Sequence, residues 1–150
     1  MPAAGRNQVA YDDIGYDGIT MKIDNSTIVY DVTKVGGSAG VGLAVTWSAD
    51  DTVALAADGD ALVGKLILVH DDNFCTVAFR GFVSLPAGTG ATVTRGRLCV
   101  GALLVAAKGY IRQATASTAF VTAEYAEQAR ARGRIWATAD LTNVWVDFGA

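Results

Sequence analysis

From Asp58 to Pro86 the chain reads DGDALVGKLILVHDDNFCTVAFRGFVSLP, short apolar runs punctuated by acidic and glycine turns. Runs of this length, rich in Val, Leu, Phe and Thr, suit extended strands, whereas a helix needs a longer run with apolar residues three and four apart. Leu62–His70 and Phe74–Arg80 are therefore predicted strands. They join across Asp71-Asp72-Asn73, residue types whose side chains hydrogen-bond local backbone groups in turns. Gly81 leads into a third run, Phe82–Leu85, which ends at Pro86-Ala87-Gly88. The segment commits the chain to a small β-domain.

The same grammar extends in both directions. Thr27–Tyr30 reads as the first strand, closed by the glycines between Gly36 and Gly40, and Val41–Trp47 with Thr52–Leu55 reads as a hairpin. Further strands are predicted at Ala91–Thr94, Leu98–Val105, Gly109–Arg112, Gly133–Thr138 and Val144–Phe148. Short β-branched and aromatic runs at this spacing indicate an all-β fold, a small β-barrel or β-sandwich. One segment dissents. Residues 122–132 (TAEYAEQARAR) carry helix formers, Thr122 as an N-cap, Glu124 early, Arg130 and Arg132 late, and Gly133 as a stop. Those signals predict one short helix, packed on the barrel mouth or a sheet face.

Residues 1–20 differ from the single β-rich domain expected over residues 21–150. Asp12, Asp13, Asp17 and several glycines interrupt any period, while Val9, Tyr11, Ile14, Tyr16 and Ile19 supply apolar hooks. Such a stretch lies extended on a neighbour as an assembly arm, or it is a frayed terminus. As an arm, it predicts that deleting residues 1–20 abolishes docking and leaves a folded barrel.

Composition bears on partners. Charged residues are 18% of the chain, against roughly 25% in an average domain. Apolar residues reach 51% and mean hydropathy is +0.30. That surplus points to apolar surface covered by another chain, although Ala and Gly also inflate it. The net charge of -3 excludes broad nucleic-acid affinity through a basic surface. Its sign is uneven: Asp50–Asp72 holds six Asp and one Lys, and Lys108–Arg134 holds one Lys and four Arg against two Glu. Unlike patches suit head-to-tail subunit contacts or a charged host surface, and ordinary turn and surface charge gives the same pattern. No apolar leader or membrane-length run is present, so Cys75 and Cys99 are expected as free thiols of a protein made in a reducing cytoplasm.

Tests for chemistry favour structural roles. His70 is the only histidine, and the tempting nucleophile–base partner is Cys75 across the turn. A hairpin-closing surface His explains it better. The Asp pairs 50–51, 58–60 and 71–72 lack the alternating ligands and distal Glu of a calcium loop, and two cysteines without close spacing make no zinc site. Gly36–Gly42 is glycine-rich but lacks the Lys-Ser/Thr of a phosphate loop. Trp136 and Trp145 sit in strand patterns and are expected to pack. No enzyme, cofactor or metal is expected.

Asp58-Gly59-Asp60, then Leu62–Leu66, Asp71–Val77 and Gly81–Pro86, resemble the head-decoration (cement) proteins of tailed bacteriophages; Gly96–Gly101 and Val144–Phe148 follow the pattern loosely. The resemblance spans roughly residues 40 to 112 and the last strand. It implies a non-enzymatic β-module, typically a homotrimer, bound outside a phage capsid where it stabilises contacts between major capsid protein subunits. It further implies a place on the virion exterior after assembly in the host cytoplasm, with no nucleic-acid or membrane partner. The expected contacts are the hooks Val9, Tyr11, Ile14, Tyr16 and Ile19 together with Arg130, Arg132 and Arg134. An alternative is a virion-associated carbohydrate- or receptor-binding β-module, favoured if Trp47, Trp136 or Trp145 stand exposed on one face.

Overall fold

The computed structural model describes residues 16–116 and 121–149, and for residues 137–139 the backbone alone. The described residues form nine strands: β1 Tyr16–Ile23, β2 Ala44–Ala49, β3 Thr52–Leu55, β4 Gly64–Val69, β5 Phe74–Leu85, β6 Cys99–Leu104, β7 Ala107–Gln113, β8 Arg134–Asp140 and β9 Asn143–Asp147. One α-helix, α1, spans Thr122–Arg130. Strands pair in the order β1-β3-β2-β4-β5, and β5 pairs again with β1, which closes a five-stranded barrel. The β1–β3 contact is parallel and the other four are antiparallel.

Alternation along these strands sorts side chains to two sides of the barrel wall. Met21, Ile23, Val45, Val53, Leu66, Val69, Cys75 and Val77 form one buried cluster with Ile28, the barrel interior. Gly64 is required where β4 meets β5, because a Cβ there would lie 1.9 Å from the Ala78 carbonyl oxygen. A second cluster builds on Ala44, Ala78, Val83 and Leu85 and is completed by Cys99, Ile111, Ile135, Val144, Val146 and Phe148. The β6–β7 hairpin and the β9–β8 pair thus cover the barrel with a second layer.

Strand β5 belongs to both layers. The sequence suggests two strands broken at Gly81, but β5 runs continuously for 12 residues. Residues Phe74–Gly81 pair with β1, and Phe82–Leu85 pair with β9. Gly81 sits at φ 92°, a conformation open to glycine that bends the strand without ending it.

Two predicted strands are absent. At Thr27–Tyr30, the Asp24 carboxylate accepts hydrogen bonds from the Ser26, Thr27 and Ile28 amides at 3.3, 2.9 and 2.9 Å. Those donors are lost to a sheet, so the segment curls and drives Ile28 into the barrel. Ala91–Thr94 is likewise irregular, with Ala91 and Val93 packed on the second cluster. The first strand is β1, which begins inside the expected arm. It pairs seven residues with β5, so the boundary drawn at residue 20 passes through a strand that closes the barrel. A cut there removes the Tyr16–Thr20 part of the β1–β5 pairing.

The helix forms where expected but is held differently. Val121 occupies the cap position without a side-chain cap, and Thr122 is already the first helical residue. No residue of α1 is buried, so polar contacts rather than an apolar stripe fix it. No helix among the described residues is long and apolar enough to cross a membrane.

Candidate contact surfaces

Strand register decides the fate of His70 and Cys75. Cys75 is the pair partner of Val69 and is fully buried in the barrel. His70 is the next residue and is exposed, with its amide donating to the Phe74 carbonyl at 2.8 Å. Successive residues of a strand face opposite sides, so base and thiol are not brought together. Burial pushes the Cys75 thiol up to about 11 and Cys99 to about 12, which suppresses the thiolate that nucleophilic or metal chemistry needs. The two thiols are unpaired and lie in separate clusters.

One aspartate or more of each pair is engaged in a turn or an ion pair. Asp51 meets Lys22 at 2.7 Å, Asp60 accepts from the Ala57 amide at 2.8 Å, and Asp72 accepts from the Phe74 amide at 3.2 Å. Asp58 is met by Arg112 at 2.8 Å, and the same guanidinium makes a two-pronged contact with Glu127 at 2.8 and 2.9 Å. The acidic and basic segments of the sequence therefore meet within one molecule. Hydrogen bonds from Arg112 hold the Glu127 carboxyl down at about 2. No group of His, Cys, Asp or Glu among the described residues could hold a metal ion.

Of the three expected contact arginines, Arg132 serves the fold. Its half-buried guanidinium donates to the Val63 and Phe79 carbonyls and lies 5.4 Å from the Phe148 ring centroid. It thereby ties the segment after α1 to β5 and to the residue that precedes β4. Arg130 donates to the Gly59 carbonyl at 2.9 Å and Arg134 to the Gly96 carbonyl at 3.0 Å, and both remain exposed at the surface.

Of the expected hooks, Val9, Tyr11 and Ile14 lie outside the described residues. Ile19 is on β1 and partly exposed. Tyr16 lines a shallow cleft of about 90 Å³ with Lys65, Phe82 and Trp145. Lys65 crosses the cleft floor to the Ser84 hydroxyl at 3.1 Å, and burial lowers its ammonium pKa. Phe82 continues the surface to Trp136, ring centroids 5.4 Å apart and nearly perpendicular, with the Arg95 guanidinium 5.8 Å from the Trp136 ring centroid. The indole is 49% exposed. An aromatic, cation-edged face thus lies beside the first described residue of the chain. Sequence reasoning named its tryptophans but missed Lys65 and Phe82 as parts of it, because segments distant in sequence build it.

A second surface lies on the irregular segment that the sequence assigned to a strand. Val29, Tyr30 and Val32 join Leu43, Leu55 and Tyr110 around a groove of about 670 Å³, with Asp31 and Lys108 also in its wall. Val29, Val32 and Val35 are 53, 78 and 95% exposed. Three β-branched apolar residues held out on an ordered loop are costly to leave in water. The signal was present in the sequence as Val29, Val32 and Val35, three residues apart, in a stretch too glycine-rich downstream to bury them.

Trp47 is 52% exposed near the end of β2, whereas Trp136 is on β8, with β4, β5 and β9 between those strands in the sheet order. No family model matches the chain, and no curated protein or solved structure does.

Proposed function

We propose that the chain is a non-enzymatic structural protein of a tailed-phage virion. It docks on the capsid exterior and stabilises contacts between major capsid protein subunits. The observation that carries this reading is the valine-rimmed groove: a broad, shallow apolar surface on a rigid barrel, suited to a macromolecular partner. Fully burying each valine is worth roughly 1.5–3 kcal/mol, enough for a modest contact per copy. A homotrimer would multiply such contacts, because the second and third dock at high effective concentration. Arg130 and Arg134, exposed but outside the lining of that groove, add charged contacts. Arg132 is held by the fold and is left out of that set.

The test uses heads of the phage that encodes this chain, prepared without it. The wild-type chain is expected to co-sediment with them, and the triple variant Val29→Ser, Val32→Ser, Val35→Ser to bind at least about tenfold more weakly while melting normally. Equal binding by the two proteins removes the groove from the interface. The exposed Trp47 and Trp136 favour a second reading, a virion-associated carbohydrate- or receptor-binding module. Their separation across the sheet gives no shared stacking platform, so that reading predicts glycan binding lost with one tryptophan and indifferent to the other.

A further inference from the structure

We infer that Lys65 is a covalent modification site, whose amine condenses with small neutral aldehydes that enter the cleft beside Tyr16, Phe82 and Trp145. Strand register puts it there. Leu66 faces the barrel interior, so Lys65 leaves the opposite side of β4. Its two register partners, Ala44 on β2 and Ala78 on β5, are fully buried in the second cluster. The stem therefore emerges among apolar side chains, and Nζ meets the Ser84 hydroxyl at 3.1 Å on the cleft floor. No carboxylate pairs with it among the described residues, whereas Lys22 meets Asp51 at 2.7 Å. The rest of the lining is Tyr16, Ile67, Phe82, Val83 and Trp145, of which the Tyr16 phenol alone is ionisable.

An ammonium in such a place lacks what usually holds it charged. Apolar walls remove water, which disfavours the cation, and nothing anionic restores the balance. Burial accordingly lowers the Lys65 pKa. The hydroxyl partner works in the same direction. A carboxylate only accepts and so favours the ammonium, but Ser84 Oγ accepts an N–H bond from either protonation state and leaves the lone pair of the neutral amine free. Desolvation of this kind is one of the ways proteins activate lysine for imine chemistry. The step balances without a further reactant. The nitrogen lone pair forms a bond to the aldehyde carbon, both amine protons pass to the former carbonyl oxygen, and that oxygen leaves as water from the carbinolamine. A C=N bond to Nζ remains. The cleft of about 90 Å³ limits the aldehyde to a few heavy atoms, and its aromatic walls favour apolar ones.

Reactivity at Lys65 and docking on phage heads are separate properties, and either can fail alone. The experiment exposes the full-length wild-type chain at pH 7 to limiting propionaldehyde with cyanoborohydride, whose hydride traps each imine as a stable secondary amine. Peptide mass spectrometry then maps the four lysines, Lys22, Lys34, Lys65 and Lys108. The same reaction in denaturant gives the unfolded reactivity of each as its reference. The native-to-denatured labelling ratio is expected to be at least about threefold higher at Lys65 than at the other three. It is expected to fall as pH rises past the ordinary lysine value of about 10.4, where the denatured reference becomes neutral too. A ratio at Lys65 equal to or below those of the other lysines overturns the inference. So does a native Lys65→Arg protein that takes up propionaldehyde at the wild-type initial rate, since arginine forms no such adduct.

Discussion

Cys75 and Cys99 show how far single residues report on this molecule. Each reads as an apolar residue in a strand pattern, and each is fully buried in a different cluster. Burial raises the two thiols to about 11 and about 12, so at pH 8 almost no thiolate is available and none is accessible. Neither thiol is expected to react with an aromatic disulfide reagent in the native protein at pH 8, and both are expected to react in denaturant. Rapid native labelling of Cys75 would contradict the closed barrel. What the sequence could not supply is the competition at Asp24. Thr27-Ile28-Val29-Tyr30 has strong strand propensity, yet a carboxylate three residues upstream captures the amides a ladder would use. Burial raises that carboxyl's pKa, but the hydrogen bonds from Ile28, Thr27 and Ser26 outweigh it and the net shift is downward. Propensity identified the residue type correctly and the geometry wrongly.

Elements add what residues alone do not determine. Helix α1 was legible from its composition, but its attachment was not, since Arg112 lies on β7 and Asp58 on the loop before β4. The clamp is pH-sensitive in a definite sense. Glu127 is held at about 2 against its ordinary 4.5, so the clamp's contribution is complete above pH 4.5 and declines as pH falls toward 2. Amide exchange across 122–130 is expected to accelerate over that range before the barrel opens. In Glu127→Gln, exchange is expected to be fast already at neutral pH, and its acid step should shrink; an unchanged profile would mean the helix is held by something else. Strand β1 yields a second prediction. Deleting residues 1–15 spares every described strand, whereas deleting 1–20 removes the stretch from Tyr16 to Thr20 that pairs with β5. The shorter truncation is expected to melt cooperatively and the longer one to lose most of its stability by circular dichroism. Similar melting of the two would show that this stretch of β1 is dispensable. The pattern that hid β1 is plain: Asp17 and Gly18 break its alternation, and the register shifts between those residues.

At the scale of the molecule, a closed barrel with a second layer leaves two unlike surfaces, an apolar groove edged by valines and an aromatic face edged by cations. The all-β class was legible because periodicity is a local property. The surfaces were not, because each is assembled from segments far apart in sequence, such as Tyr16, Lys65, Phe82 and Trp145. Part of the apolar surplus in composition stands at the surface as exposed large side chains, among them Val35, Val105 and Val32. A protein that presents such surfaces on a rigid frame is suited to assembly, and its polar groups mostly hold that frame together. The measurement that bears most directly on the proposed capsid role is a titration, with the purified wild-type protein, of undecorated heads of the phage that would encode the chain on that reading. Binding is expected to saturate at a fixed ratio to the major capsid protein and to raise the temperature at which the heads release DNA. Absence of saturation at micromolar protein, with the release temperature unmoved, would contradict a role in reinforcing the shell.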